Sequence, residues 1–323
     1  MILQWVSPKF FITNYNFSVF CKSTQKRKAV AVCTLSSLFC GRKATEWVIV
    51  MPKYEYRPVK FFALALAFTW FFWILAIVIN SEEYSTVLML FGLLAPAVIA
   101  TVMILGSKNK ELKSDFGKRI VDFSRLNIPN LLMAVILFFV SVAVAIVIST
   151  LFGQSLDQFS FVDDFSFTGP GIMSAFLTVL LASVIEEFGW RGYAQDAVAQ
   201  YCTWFKTSLV FGVFWALWHL PLLWVQGTYH SGLMELGLPY VLNFFVCTIP
   251  MAFMANWVYY KNNRSITAGV LYHLFLNFMQ EKIAMTPFTK CIETVVIVVV
   301  AIIVVYVNRK MFFEKDHIGK MPC

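Results

Sequence analysis

Two adjacent carboxylates, Glu186 and Glu187, and one guanidinium, Arg191, close an apolar run at 181–193, LASVIEEFGWRGY. A charged side chain at the centre of a membrane helix costs roughly 2.5–3.5 kcal/mol on insertion scales, so three of them within six positions ask for a function. On a helix, Glu187 and Arg191 are four apart and share a face, where they neutralise each other. Glu186 is turned about 100° away and has no local partner. The spacing therefore gives the Glu187–Arg191 pair a structural part and leaves Glu186 free for chemistry. A solvated helix end at the membrane surface is the plainer reading of the same residues.

Two later apolar runs carry the matching groups. His219 stands in FWALWHLPLLW, with Trp215 one turn before it on the same face, placed to hold the imidazole, and with Pro221 just after it to distort the helix. His273 and Asn277 stand in YHLFLNF, and their spacing puts both polar groups on one helix face. Asn243 and Asn256 read as helix–helix contacts, and His230 and His317, in an outer loop and the tail, read as solvated. A carboxylate paired with an imidazole can deprotonate a water. A second imidazole and an amide can donate to the oxyanion of a tetrahedral intermediate. Together these suffice to hydrolyse an amide. Glu186, His219 and His273 equally make a set of three zinc ligands with an open fourth position. A buried acid with histidines also suits the proton relay of a transporter, and a non-catalytic membrane scaffold could keep the same pocket. Spacing alone does not choose among these.

The elements that must position these residues are membrane helices. The chain is 59% hydrophobic and 14% charged, and its mean hydropathy is +0.71, values of an integral membrane protein. Eight apolar runs near the spanning length of ~20 residues fall at about 60–79, 86–105, 128–152, 172–190, 207–225, 238–260, 264–280 and 291–308. The fold class expected is all-α: a polytopic membrane protein of eight transmembrane helices around an intramembrane cavity. The net charge of +8 belongs to topology and not to nucleic acid, because basic residues gather in alternate loops. Lys53, Arg57 and Lys60, then Lys108 to Arg125, then Arg191 and Lys206, then Lys261 and Arg264, and finally Arg309 to Lys320 mark one side. The loops with Glu82 and Glu83, and with Asp157, Asp163 and Asp164, mark the other. Both termini are then cytoplasmic, and the lipid bilayer is the standing partner.

The segment 114–126 sets Phe116, Ile120, Val121 and Phe123 against Lys118, Arg119 and Arg125, which suits an interfacial amphipathic helix or a plain basic connector. Seven cysteines without a CxxC pair give no disulfide framework and no cysteine-built metal cluster. Residues 1–50 carry seven basic residues against one acid, Glu46, and no run of spanning length. They read as an extension upstream of a start at Met51, or as a targeting segment, outside a membrane domain at 51–323.

The order EExxxR (Glu186, Glu187, Arg191), an aromatic four before a histidine (Trp215, His219), and HxxxN (His273, Asn277) resembles the CAAX protease and bacteriocin-processing family of intramembrane proteases. The resemblance covers about 170–280, and WHLP at 218–221 looks like its bacterial branch. The one departure is Trp215, where the commonest family pattern has phenylalanine. The resemblance implies an eight-span fold with a cavity open towards the cytoplasm, and a membrane-associated peptide or protein cut near that face. It implies that Glu186 and His219 activate water, that His273 and Asn277 form the oxyanion hole, and that Glu187, Arg191 and Trp215 support the site. No metal cofactor is expected, since an amide at the fourth position is a poor zinc ligand and a good donor. Zinc on Glu186, His219 and His273 is the alternative.

Overall fold

The computed structural model describes residues 21–23, 30–33, 47–50, 54–162 and 175–318. The chain divides into two units, Met1–Lys53 and Tyr54–Pro322. The described part of the first is an antiparallel sheet of β1 (Cys21–Ser23), β2 (Val30–Cys33) and β3 (Trp47–Val50), with Lys22 opposite Val32 and Ala31 opposite Ile49. The placing of 1–50 outside the fold concerns residues that lie largely outside the described set, as do Asp163, Asp164 and Lys320.

The second unit is a bundle of helices. In order they are α1 (Pro58–Ile79), α2 (Glu82–Leu105), α3 (Lys110–Val121), α4 (Ile128–Thr150), α5 (Ala175–Gly189), a π-helical turn (Trp190–Ala194), α6 (Gln195–Ala199), α7 (Trp204–Trp218), α8 (Tyr229–Leu236), α9 (Leu238–Lys261), α10 (Ile266–Lys282), α11 (Pro287–Val307) and α12 (Arg309–Phe313). Six stretches among the described residues are long and apolar enough to cross a membrane: α1, α2, α4, α7 with its 3-10 continuation to Trp224, α9 and α11. Their outward faces carry Phe71, Val102, Ile136 and Ile302, all more than half exposed, as lipid-facing surfaces do. The protein is therefore an all-α polytopic membrane protein. The other two expected spans are α5 and α10, helices of 15 and 17 residues. Both are lined by the candidate site residues.

Local chemistry starts these helices. Asn109, Asn127, Thr203, Thr228, Ser265 and Thr286 each stand just before a helix and accept a hydrogen bond from the backbone N–H three residues on. Such caps are worth about 1 kcal/mol each. α5 is set against α2 by a close approach. A Cβ on Gly189 would lie 2.6 Å from Pro96 Cβ, so only glycine lets the two backbones meet there.

Two expectations are corrected here. In the amphipathic segment Arg119 is not on the wetted face: it is fully buried, beside Phe116 and Leu112, while Val121 and Phe123 are exposed. The physical reason is a partner set the local pattern does not display. Arg119 Nη1 donates to Asp196 Oδ2 at 2.7 Å, and Arg264 pairs with both Asp196 and Asp115. Burial works against the charge of Arg119, but the phenol of Tyr259 and the carboxylate of Asp196 outweigh it and hold the guanidinium above its ordinary range. Likewise, Arg191 does not border a turn. The helix runs on past it to Ala199, because Arg119 satisfies the backbone carbonyls of Arg191 and Gly192 at 2.9 and 3.0 Å where the π-helical turn loosens the ladder.

Candidate active site

Glu186, Glu187 and Arg191 are 6%, 1% and 0% exposed, which rules out the solvated helix end. Glu187 Oε1 accepts from Arg191 Nη1 at 2.6 Å, the pairing their spacing foretold, and also from His273 Nδ1 at 3.0 Å across the bundle. α10 comes this close because its facing residue is Gly269. A Cβ there would stand 2.6 Å from Glu187 Oε2. The Arg191 guanidinium also lies over the Phe211 ring, 5.0 Å from its centroid.

Glu186 faces the other way and has different company. Its Oε2 accepts from the indole N–H of Trp190 at 3.2 Å and of Trp215 at 3.0 Å. The expectation that it has no local partner is thus corrected: Trp190 lies four residues on, and an indole N–H is the donor. Both donors are neutral. Two neighbouring carboxylates on one helix therefore differ in kind, one matched by a guanidinium and an imidazole and one held by indole dipoles.

His219 caps α7, which ends because Pro221 cannot continue it and a 3-10 turn follows. Its Nδ1 lies 2.7 Å from the Trp215 carbonyl, so that nitrogen carries the proton and Nε2 keeps its lone pair. Trp215 therefore links three site residues: its N–H to Glu186, its carbonyl to His219, and its ring edge-on to His273 at 5.5 Å. The ring of His219 is further bounded by Trp218, at 4.7 Å between centroids. Behind these, Trp218 bonds Thr69 at 2.9 Å and Thr69 bonds the Gly92 carbonyl at 2.8 Å, which ties α7 to α1 and α2. Asn277 is half-buried one turn beyond His273 and makes no side-chain hydrogen bond among the described residues.

Several residues stand elsewhere than the sequence reading placed them. His230 is not solvated: its ring stacks on His219 with centroids 5.2 Å apart. His317 stacks on Trp204 at 4.3 Å, with Nε2 3.0 Å from the Cys202 carbonyl. Asn256 does join two helices, donating to Ser208 at 2.9 Å, and Asn243 reaches the Lys290 carbonyl at 3.5 Å. Glu293, buried in α11 and accepting from Gln280 at 2.8 Å, went unnoticed, as did Asp196. Each is a lone acid in an apolar stretch, and that was the signal available.

The residues proposed as zinc ligands fit an ion poorly. Among the described residues no three His, Cys, Asp or Glu side chains come together as a ligand set, and Glu186 Oε2 is already taken by two N–H donors.

A family model described as Type II CAAX prenyl endopeptidase Rce1-like matches residues 168–279, a stretch that holds Glu186, Glu187, Arg191, Trp215, His219, His273 and Asn277. The protein named CAAX prenyl protease 2 of Methanococcus maripaludis is 37% identical over 270 residues, which span 82% of this chain and 99% of that protein.

Proposed function

The chain belongs to the Rce1-like family of CAAX prenyl endopeptidases, and from that premise we propose how it hydrolyses a peptide bond. It is an intramembrane endopeptidase, and its substrate is a membrane-associated peptide or protein cut near the cytoplasmic face. The observation that carries the assignment of roles is the contrast between the two neighbouring carboxylates. Glu187 is matched by Arg191 and His273, while Glu186 receives only neutral indole donors. Glu186 is the carboxylate that no hydrogen-bonded cation matches.

Glu186 takes one proton of a water as its oxygen adds to the scissile carbonyl carbon, while the Nε2 lone pair of His219 accepts from the water's other O–H. The oxyanion is met by Asn277, whose amide is uncommitted, and by His273. Since Nδ1–H of His273 is given to Glu187, Nε2 can donate only from the imidazolium. Glu186, Glu187, Arg191 and that imidazolium then sum to zero charge, the balance a low-dielectric interior favours. Collapse of the intermediate returns the proton to the leaving nitrogen, breaks the C–N bond and yields an acid and an amine. Glu187 and Arg191 brace the site, and Trp215 spaces it. The scheme uses no metal. Eight spans with both termini cytoplasmic, a cavity open to that side, and a first segment outside the protease domain complete the proposal.

The test is cleavage by the detergent-purified full chain of a prenylated peptide ending in a CAAX tail, beside its unprenylated twin, followed by mass spectrometry. The relative's name makes the prenylated tail the first substrate to offer. Cleavage unaffected by a strong chelator supports the proposal. Chelator-sensitive cleavage restored by zinc overturns its metal-free chemistry, and no cleavage of either peptide or of a broader membrane-peptide set overturns the substrate class.

A further inference from the structure

We infer that His230 is a positioning residue for the hydrolysis, holding the imidazole of His219 in the orientation that presents Nε2 to the reacting water; the inference rests on the role proposed for His219. The ring of His230 lies nearly parallel to that of His219, at 23° and 5.2 Å between centroids. It is itself flanked by the steeply inclined rings of Phe244 at 4.6 Å and Tyr229 at 5.7 Å. Its Nε2 is buried and makes no hydrogen bond among the described residues, so contact between faces is what it offers.

His219 needs such a wall. It sits past the last residue of α7, at the switch from α-helix to 3-10 turn, where the helix no longer fixes its side chain. One hydrogen bond, to the Trp215 carbonyl, sets its tautomer but leaves the ring free to swing about that bond. Trp218 and Phe244 meet it at steep angles of 80° and 81°. Only His230 covers a face at a shallow angle among the ring contacts of His219. The wall arrives from a separate element, the first turn of α8, capped by Thr228. A small swing of this ring away from the water it orients lowers turnover without weakening substrate binding.

The test uses the full chain with His230→Ala, which removes the wall, and His230→Phe, which keeps a ring. We expect His230→Ala to lower kcat about tenfold or more with KM within about twofold, and His230→Phe to stay within about threefold of the parent. A second readout needs no activity. The chain has four histidines, so ring-labelled histidine gives a readable nitrogen spectrum. His219 is expected as the Nδ1–H tautomer throughout, with sharp ring resonances in the parent and in His230→Phe and with shifted, exchange-broadened ones in His230→Ala. An unchanged His219 signal in His230→Ala, an unchanged kcat, or an equal loss in both variants would overturn the inference. A parent chain that cleaves nothing speaks against the function proposed above, and the spectrum still decides the part of His230.

Discussion

Glu187 and His273 stand 86 positions apart in the chain and meet at 3.0 Å in the middle of the bundle. That contact joins the fourth and seventh expected spans and fixes which nitrogen of His273 carries a proton. It also separates two carboxylates that are neighbours in sequence, and the separation can be tested by charge removal.

Glu187→Gln takes the anion from between the Arg191 guanidinium and the His273 ring and leaves Arg191 buried without its counter-charge. Breaking a buried pair on one side costs about 3–5 kcal/mol. Glu186→Gln removes a charge whose partners are indoles, and its cost is expected to stay near 1 kcal/mol. Thermal unfolding in one detergent should therefore rank Glu187→Gln well below Glu186→Gln, even though both lose cleavage. Equal melting temperatures would contradict the division of labour.

Gly269→Ala probes the same contact from the other helix. Its Cβ would come within 2.6 Å of Glu187 Oε2 and push the carboxylate off His273. Alanine gains about 1 kcal/mol of helix propensity over glycine, which offsets part of the crowding. The expected outcome is a melting temperature close to the parent's and a kcat lower by about tenfold or more. Kinetics and a melt on the same sample check it.

Arg119→Ala tests the support behind the π-helical turn. It takes one of two guanidinium partners from the fully buried Asp196, which keeps Arg264, and it removes the donor of the Gly192 carbonyl. The loss should be about 1.5–3 kcal/mol, whereas Arg125→Ala, at an exposed pair with Asp122, should change stability by less than about 1 kcal/mol. Chemical denaturation of both variants compares them directly.

What could be read from the sequence follows the range of the forces involved. The Glu187–Arg191 pair was legible because four residues on a helix is a fixed distance, and the break after His219 because proline ends any helix. Arg119 reads as a wetted basic residue, and its partner Asp196 carries no local mark of the pairing. Each looks like a surface charge by itself, and only the folded chain brings α3 to α6. His230 reads as a loop residue because α8 is short and polar enough to pass for one, and nothing local marks a ring that stacks on a distant histidine. The family order of Glu186, His219 and His273 could be recognised, but the two indoles on Glu186 could not be inferred from that order.

The measurement that tests the central claim most directly is the single-turnover rate of peptide cleavage by the parent chain and by Glu186→Gln, each with and without a strong chelator. The account predicts a fall of at least about a thousandfold in the folded Glu186→Gln protein, and no effect of chelator on the parent. A Glu186→Gln protein that still cleaves at the parental rate would contradict it.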